Sequence, residues 1–525
     1  MMRLLLLTLI SVFVTSCAAT QTKKPNVIII LADDLGFSDA GCYGGEINTP
    51  NLDKLAAGGL RYTQFYNTAR CWPTRGSLMT GYYPQQIGRD KVLDIKGGGG
   101  DKNPRPEWAK LLPHYLKQAG YRSYHTGKWH IDGKPVETGF DRSYWLKDQS
   151  RFFSPQLHYE DDQKLPPVER NSGFYGTVKV ADKTIEYLKQ HEAESADKPF
   201  FAFIAFAAPH FPLHALPEDI KKVGDRYAGG WEKIRQERWE KVQKLGIVSG
   251  KLSEVEREIG PPYHFPKHLE ILGDGEVNRP LPWNSLTPKQ KKFQSAKMTI
   301  HAAMVERMDS EIGRILNQVK EMGEMENTLV LFLSDNGASA EIMVRGDGHD
   351  PKAPLGSAAT YPCLGPGWSN VCNTPFRRHK TWTHEGGACT PLIVNWPNGI
   401  KDKGGLRRSV GHVIDVAPTI FELAGINPSQ KVKLPGQSLV NTFENDSKEE
   451  RTVWWSHESN NAIRKGNWKL VAAKGDKWEL FNLAEDRTES NNLASKYPQK
   501  VKELEALWND KVDEFRKVAP RVGKK

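Results

Sequence analysis

Cysteine is scarce in this chain of 525 residues, which contains six, at positions 17, 42, 71, 363, 372 and 389. So few cysteines exclude a small disulfide-held scaffold, and a chain of this length can bury a large hydrophobic core instead. Cys363 and Cys372 are close enough in sequence for a disulfide to close one loop. Cys42 and Cys389 are expected to be small buried side chains.

Hydrophobic runs long enough to cross a membrane are absent from the sequence. The run from Leu4 to Val14 follows Arg3 and has the shape of a secretory signal. It ends at Ser16-Cys17, in a segment that resembles a bacterial lipobox. We therefore predict a signal peptide over residues 1–16 and a lipid-modified Cys17 that anchors an exported protein at the bacterial periplasm or cell surface. Ordinary cleavage near Ala18 is the alternative.

No concentrated basic run is present, although the formal net charge is +10. An excess of positive charge spread over so long a chain favours anionic substrates but does not indicate a nucleic-acid partner, and none is expected. The content of 38% hydrophobic and 26% charged residues is that of a globular protein and excludes wholesale disorder.

Four short apolar runs are present, and each ends in polar or turn-forming residues: 26–32, 200–206, 328–333 and 391–396. Unbroken aliphatic and β-branched runs are typical of strands buried on both faces, as in parallel sheets. Helical spacing of apolar residues lies between the runs, most clearly over 294–322. We predict an α/β fold in which helices flank a large, mostly parallel or mixed sheet.

The chain divides into two predicted domains. A catalytic domain is expected over residues 24–444, and the charged and Pro/Gly-rich stretch 211–288 is predicted to be an insertion in it. From residue 445 to 525 the pattern changes to short alternating strands followed by one amphipathic helix. This pattern predicts a small antiparallel sheet with a packed helix.

Polar side chains follow two of the predicted strands. Asp33 and Asp34 come after the first apolar run, and Asp335 and Asn336 come after the third. The carboxyl ends of strands are where α/β proteins collect their functional residues. Carboxylates that lie close together repel unless a cation sits between them, and Ca²⁺ and Mg²⁺ prefer oxygen ligands. The sequence therefore predicts a divalent cation site.

The segment Cys71-Trp72-Pro73-Thr74-Arg75, followed by Thr80-Gly81, resembles the signature of the formylglycine-dependent sulfatases, and the arylsulfatase type is most similar. These enzymes belong to the alkaline-phosphatase superfamily. Further segments resemble blocks of the same family in the same order, and they cover nearly the whole chain after the signal: 26–36, 49–53, 127–130, 209–210, 333–337, 380–387 and 461–483.

The resemblance implies a sulfuric ester hydrolase with an alkaline-phosphatase-like fold, in which a maturation enzyme oxidises Cys71 to formylglycine. A serine or cysteine that attacked a sulfate ester would stay sulfated. The hydrated aldehyde carries two hydroxyls, of which one attacks sulfur and the other, once deprotonated, expels the sulfate. The implied substrate is a sulfated carbohydrate or an aryl sulfate.

The resemblance also implies a role for each matching residue. Calcium, with magnesium as the alternative, would be bound by Asp33, Asp34, Asp335, Asn336 and converted Cys71. Arg75 would hold the hydrate, and Lys128 and Lys380 would bind the sulfate oxygens. His130 would take a proton from the second hydroxyl, and His210 would hydrogen-bond the ester oxygen or protonate the leaving alcohol.

Two alternatives stay open at the level of sequence. A phosphoester or phosphonate monoester hydrolase could use the same pocket. A lipoprotein that captures sulfated glycans without turnover would keep Cys71 as a thiol.

Overall fold

The computed structural model describes residues 23–99, 103–428 and 431–520. The predicted signal peptide and Cys17 lie outside the described residues. The helices are α1 (Pro50–Ala57), α2 (Cys71–Thr80), α3 (Leu112–Gln118), α4 (Gly176–Ser195), α5 (Pro217–Val223), α6 (Trp231–Lys244), α7 (Pro266–Leu272), α8 (Pro288–Glu321), α9 (Gly365–Cys372), α10 (Glu385–Ala388), α11 (Val416–Ala424) and α12 (Pro498–Val518).

The strands fall into two sheets. They are β1 (Asn26–Ala32), β2 (Leu60–Tyr66), β3 (Arg122–Gly127), β4 (Arg142–Leu146), β5 (His158–Glu160), β6 (Gln163–Lys164), β7 (Phe200–Ala205), β8 (Thr328–Ser334), β9 (Cys389–Asn395), β10 (Gly405–Arg407), β11 (Gly411–His412), β12 (Thr452–His457), β13 (Asn460–Lys465), β14 (Trp468–Ala472) and β15 (Glu479–Asn482).

The larger sheet has eleven strands among the described residues, in the order β10-β2-β9-β8-β1-β7-β3-β4-β5-β6, with β11 also paired to β2. Strand β1 lies at its centre and pairs in parallel with β7 and β8. Strand β9, although equally buried, is antiparallel to both β2 and β8. A continuous apolar run therefore indicated burial correctly but not strand direction, and the predicted mixed α/β sheet is confirmed.

Helices cover both faces of this sheet, because alternate residues of each central strand point to opposite sides. Ile28 and Ile30 pack in a core with the helices α1, α4 and α8. Val27 and Ile29 pack in a second core with α2, α3 and α11. Helix α8 begins at Pro288, where the hydroxyl of Thr287 forms a capping box with Gln290.

Strands β12 to β15 form the separate antiparallel sheet that the C-terminal pattern predicted. Helix α12 packs on it through one apolar face, formed by Leu504, Trp508, Val512 and Phe515. The segment 211–288 contains α5, α6 and α7. The domain boundaries themselves stay predictions.

The loop disulfide between Cys363 and Cys372, which the sequence left open, is not formed, because both residues are free and buried. The Cys363 thiol donates to the carbonyl of Met343 at 3.4 Å, and Cys372 Sγ lies 3.7 Å from Nε2 of His301. Cys42 and Cys389 are buried, as expected. Among the described residues, no helix combines the length and the apolar character needed to span a membrane.

Candidate active site

The carboxyl ends of β1 and β8 bring four oxygen-bearing side chains together. The two strands pair in register, Ala32 with Ser334, so the residues that follow them emerge side by side. The amide of Asp34 donates to Oδ1 of Asp335 at 3.4 Å, and Asn336 Nδ2 donates to Oδ1 of Asp34 at 2.6 Å. Asp33, which precedes Asp34, is fully buried beside them.

Two oxygens of this group could bind a cation. Oδ1 of Asp33 and Oδ1 of Asn336 are buried, and neither has a hydrogen-bond partner in the described part of the chain. Buried oxygens without a partner are rare because they lose the solvation of water. Side-chain oxygens of Asp33, Asp34 and a ring nitrogen of His210 also lie within 4.8 Å of one another. These donors fit a hard divalent cation, although the imidazole nitrogen is a weaker match than the oxygens.

Three cationic side chains surround the carboxylates. Arg75 Nε donates to Oδ2 of Asp335 at 2.9 Å, and its Nη1 donates to the carbonyl of Lys128 at 2.9 Å. Lys128 Nζ pairs with Oδ2 of Asp33. Lys380 Nζ lies 2.7 Å from Oδ1 of Asp34. All three cations are buried, so their positive charge is weakly screened.

The electrostatic environment shifts the pKa values of Asp33 and Asp335 in opposite directions. Burial raises the pKa of Asp33, but Lys128, His210 and Arg75 more than offset burial and leave the pKa well below its usual range. Burial and the charge of Asp33 raise the pKa of Asp335 to about 6. A bound cation would remove this repulsion and keep both groups ionised.

Cys71 is the first residue of α2 and is buried at the positive end of that helix. Burial raises the pKa of its thiol despite the nearby charges of Lys128 and Lys380. A thiol that stays protonated is a poor nucleophile. The helix end therefore favours a bound anion. The protonated thiol indicates that the group which reacts at this position is not a thiolate.

His130 and His210 follow the strands β3 and β7. Burial, together with Lys128 and Arg75, places the pKa of His130 well below its usual value, so its imidazole is neutral and can accept a proton. Nδ1 of His210 donates to the carbonyl of Phe211 at 2.5 Å, and its Nε2 lies 3.7 Å from Asp34. Burial lowers the pKa of His210 to about 4. In the resting site its Nε2 therefore carries a lone pair and must gain a proton before it can donate.

Glu341 and Arg70 belong to the same cluster but were not predicted from the sequence. Oε2 of Glu341 lies 3.2 Å from Lys380 Nζ, and its Oε1 lies 3.1 Å from Arg70 Nη2. Burial raises the pKa of Glu341, but Arg70 and Lys380 outweigh burial and keep the carboxylate ionised. Glu341 lies in a loop without a recognisable motif, whereas Arg70 directly precedes Cys71, which was the available signal.

The charges of the site balance before any ligand is added. Four buried carboxylates face four buried cations: Asp33, Asp34, Asp335 and Glu341 against Arg70, Arg75, Lys128 and Lys380. A divalent cation would make this cluster positive by two charges. A site of that charge is complementary to an anionic ester and repels cationic ligands.

Comparison with known proteins agrees with this geometry. Residues 25–426 match the family model described as Sulfatase, and residues 377–517 match the model described as N-sulphoglucosamine sulphohydrolase, C-terminal. An uncharacterised sulfatase of Schizosaccharomyces pombe is 31% identical, over 93% of this chain and 93% of its own. An arylsulfatase of Klebsiella aerogenes is 33% identical, over 79% of this chain and 89% of its own.

A solved structure shares the fold at lower identity. It is described as a complex with its substrate D-glucosamine-2-N,6-O-disulfate, has a TM-score of 0.63 and is 21% identical. The match covers 96% of this chain and 100% of that chain.

Proposed function

The chain belongs to the sulfatase family of the alkaline-phosphatase superfamily and hydrolyses sulfate esters, and we propose that it cleaves sulfate monoesters through a formylglycine at position 71 and a calcium ion. The observation that carries the proposal is the position of Cys71. It begins α2 among Lys128, Lys380 and Arg70, beside two carboxylate-bearing strand ends with unpartnered oxygens.

Conversion of Cys71 requires a maturation enzyme as a partner. The change from a CH₂–SH group to an aldehyde removes sulfur and two electrons, so an external oxidant is needed. The raised thiol pKa supports this proposal, because the unmodified side chain would be largely protonated near neutral pH.

The cation would be held by side-chain oxygens of Asp33, Asp34, Asp335 and Asn336. Oxygen ligands suit calcium better than they suit softer metals. When bound, the cation would supply charge that neutralises the sulfate oxygens, and the hydrated aldehyde would supply the attacking hydroxyl. Arg75 binds both Asp335 and the backbone carbonyl of Lys128. It would therefore hold a cation ligand and a sulfate-binding lysine at a fixed distance from each other.

Lys128 and Lys380 are placed to stabilise the charge that develops on the sulfate. Each ammonium group is already buried beside a carboxylate. Each can therefore also bind a sulfate oxygen without a further desolvation cost. Neutral His130 is suited to accept the proton of the second hydroxyl. His210 would gain a proton at Nε2 as the anionic ester binds and pass it to the leaving oxygen.

A carbohydrate or aryl sulfate is the proposed substrate class. Support comes from the arylsulfatase relative and from the sulfated glucosamine named for the related structure. The lipid anchor at Cys17 and the location at the bacterial periplasm or surface also stay proposals. If they are correct, Cys17→Ala moves the protein from the membrane fraction to the soluble fraction, and an unchanged distribution would reject the anchor.

The test of the catalytic proposal uses protein produced together with a maturation enzyme. Release of sulfate from p-nitrophenyl sulfate and from monosulfated sugars is measured for the wild type, Cys71→Ala and Cys42→Ala. We expect Cys71→Ala to lose at least about 10³-fold in rate, as other enzymes do when their nucleophile is removed, and Cys42→Ala to retain activity.

Phosphate release from p-nitrophenyl phosphate is the discriminating arm of the same experiment. A phosphate monoester carries nearly one more negative charge than a sulfate monoester, and turnover of the phosphate in preference to the sulfate would favour the phosphoesterase alternative. Full activity of Cys71→Ala would reject the assigned nucleophile.

A further inference from the structure

Two aromatic residues of the segment 211–288, Phe211 and Tyr263, lie close to the site. Tyr263 packs in a small apolar cluster with Phe211. The ring of Phe211 packs at a tilt against His210, with a centroid distance of 4.1 Å, and lies 5.4 Å from Lys380 Nζ. From the other side, the guanidinium of Arg70 lies 5.6 Å from the centre of the Tyr263 ring. Tyr263 is therefore one side chain away from the groups assigned to the ester oxygen and the sulfate.

Glu458 reaches the same place from the C-terminal sheet. The hydroxyl of Tyr263 donates to its Oε2 at 2.9 Å. Its Oε1 lies 3.9 Å from Nε2 of His457 and accepts no hydrogen bond within the ranges that the structure describes. One third of the side chain is exposed. One oxygen of a carboxylate is thus fixed by the protein, and the other is available to a ligand.

The backbone at Glu458 is unfavourable for a glutamate. Glu458 and Ser459 form the two-residue turn between β12 and β13, with His457 paired to Asn460. Both turn residues have positive φ, 47° and 67°. Such turns strongly favour Asn-Gly, so Glu-Ser lowers the stability of the hairpin. Strain of this kind persists where a side chain is needed for function.

We infer that Glu458 and Tyr263 form the subsite for the leaving alcohol, and that this alcohol is a sugar whose free hydroxyl donates to Glu458. The inference rests on the proposed function and specifies its substrate. An aryl leaving group offers Glu458 no hydroxyl, and a carboxylate that is desolvated without a donor costs binding energy. Phe265, which is 37% exposed and lies 6.4 Å from Tyr263, adds an apolar face for the C–H side of a sugar ring.

The same carboxylate selects against further negative charge on the sugar. A second sulfate or a uronic acid beside the cleaved ester would meet Glu458 as a like charge. The substrate is therefore a sugar sulfate without a second anionic group close to the ester.

The test compares wild type with Glu458→Gln, Tyr263→Phe and Ser459→Gly. The probes are the positional monosulfates of galactose, glucose and glucosamine, a glucosamine N,O-disulfate, and inorganic sulfate as a competitive inhibitor that needs no leaving-group contact. Glu458→Gln can still accept the Tyr263 hydroxyl, so its thermal midpoint should stay close to that of the wild type.

We expect Glu458→Gln to lower kcat/KM for the best monosulfate by about tenfold, which is the usual effect of one charge-assisted hydrogen bond. The ratio of kcat/KM for the monosulfate to kcat/KM for the disulfate should also fall. Tyr263→Phe should cause a smaller loss in the same direction, since it frees Glu458. The inhibition constant of inorganic sulfate should change by less than about twofold, because sulfate alone does not reach this subsite. Ser459→Gly should not change the kinetics and should raise the thermal midpoint.

An unchanged kcat/KM in Glu458→Gln, or an equal loss of sugar turnover and sulfate inhibition, would overturn the subsite. If the wild type carries the aldehyde but releases sulfate from no sugar and no aryl ester, the proposed function fails instead. If Glu458→Gln does not fold, Tyr263→Phe decides by the same two measurements.

Discussion

Arg75 illustrates how one side chain can organise the whole site. Its guanidinium is fully buried, binds Asp335 through Nε and binds the carbonyl of Lys128 through Nη1. A lysine carries the same charge, but its N–H groups all leave one nitrogen and cannot reproduce the spacing between Nε and Nη1 of the guanidinium. The geometry of Arg75, in addition to its charge, is what the site uses.

Arg75→Lys should therefore keep the charge of the site and lose its geometry. We expect a rate of sulfate release lower by about 10²-fold or more, and a free energy of unfolding lower by about 1–3 kcal/mol because a buried partner is left unpaired. Kinetics and urea unfolding measure the two effects. Arg408→Lys on the exposed surface is the matched control and should change neither. Normal turnover in Arg75→Lys would show that charge alone is sufficient.

Predictability at the residue scale depended on motifs. Asp33, Asp34, Asp335 and Asn336 could be grouped in advance because each pair directly follows an apolar strand. Glu341 could not be predicted, because its partners Arg70 and Lys380 are distant in sequence. Neither could Glu458, whose proposed role depends on a contact with Tyr263, 195 residues earlier in the chain.

At the scale of elements, the C-terminal sheet is joined to α10 by a buried charge network. Lys469 of β14 lies 2.8 Å from Oε1 of Glu385 and 2.8 Å from Oε1 of Glu489. Burial raises the pKa of Glu385, but Lys469 and Arg487 outweigh it and lower the value to about 2. Burial and the charge of Glu385 raise the pKa of Glu489 to about 7, although Lys469 acts in the opposite direction. Two carboxylates thus share one ammonium, and Glu489 takes up the proton.

This network predicts a pH dependence of stability. The folded protein holds the proton of Glu489 up to about pH 7, whereas the unfolded chain releases it near the ordinary value of 4.5. The folded state therefore binds more protons between these values, and stability is lost as the pH rises through that range. In Glu489→Gln this loss is absent, since the amide mimics the protonated acid.

The free energy of unfolding is measured with urea at about pH 5 and about pH 8. For Glu489→Gln it should equal that of the wild type at the lower pH and exceed it by about 1–3 kcal/mol at the higher pH. Glu514→Gln, at an exposed position on α12, is the control and should follow the wild type at both values. A constant difference between Glu489→Gln and the wild type would show that Glu489 does not titrate in this range.

At the scale of the whole molecule, the two sheets share a core and the site. Trp455 Nε1 of β12 donates to the carbonyl of Asn67, four residues before Cys71, at 2.8 Å. Tyr83 packs in one apolar cluster with Trp454 and Phe515. Because the loop that leads to Cys71 is held by the C-terminal sheet, the two parts should not unfold independently.

Differential scanning calorimetry of the full chain should show one cooperative transition that added calcium shifts to higher temperature, since a ligand bound only by the folded state stabilises it. A first transition that melts the C-terminal sheet while the calcium effect persists in a second would contradict this coupling. The single Trp455→Phe substitution, which removes the indole N–H and leaves a smaller ring, should lower the midpoint without splitting the transition.

The overall fold was more predictable than its details. Apolar runs and helical spacing predicted the mixed sheet and the separate C-terminal sheet, because a buried face requires apolar residues at regular intervals in the local sequence. The antiparallel direction of β9 and the free thiols of Cys363 and Cys372 were not predictable in this way. Both depend on which distant segments become neighbours, and a single sequence holds no local record of that.

The most direct test of the account measures how the aldehyde content at position 71 relates to activity. Preparations with graded conversion are obtained by varying the maturation enzyme, and peptide mass analysis with hydrazide labelling gives the converted fraction of the segment around Cys71. The account predicts that the rate of sulfate release is proportional to that fraction and extrapolates to zero for the unconverted thiol. Full activity in a preparation that retains the thiol at position 71 would contradict it.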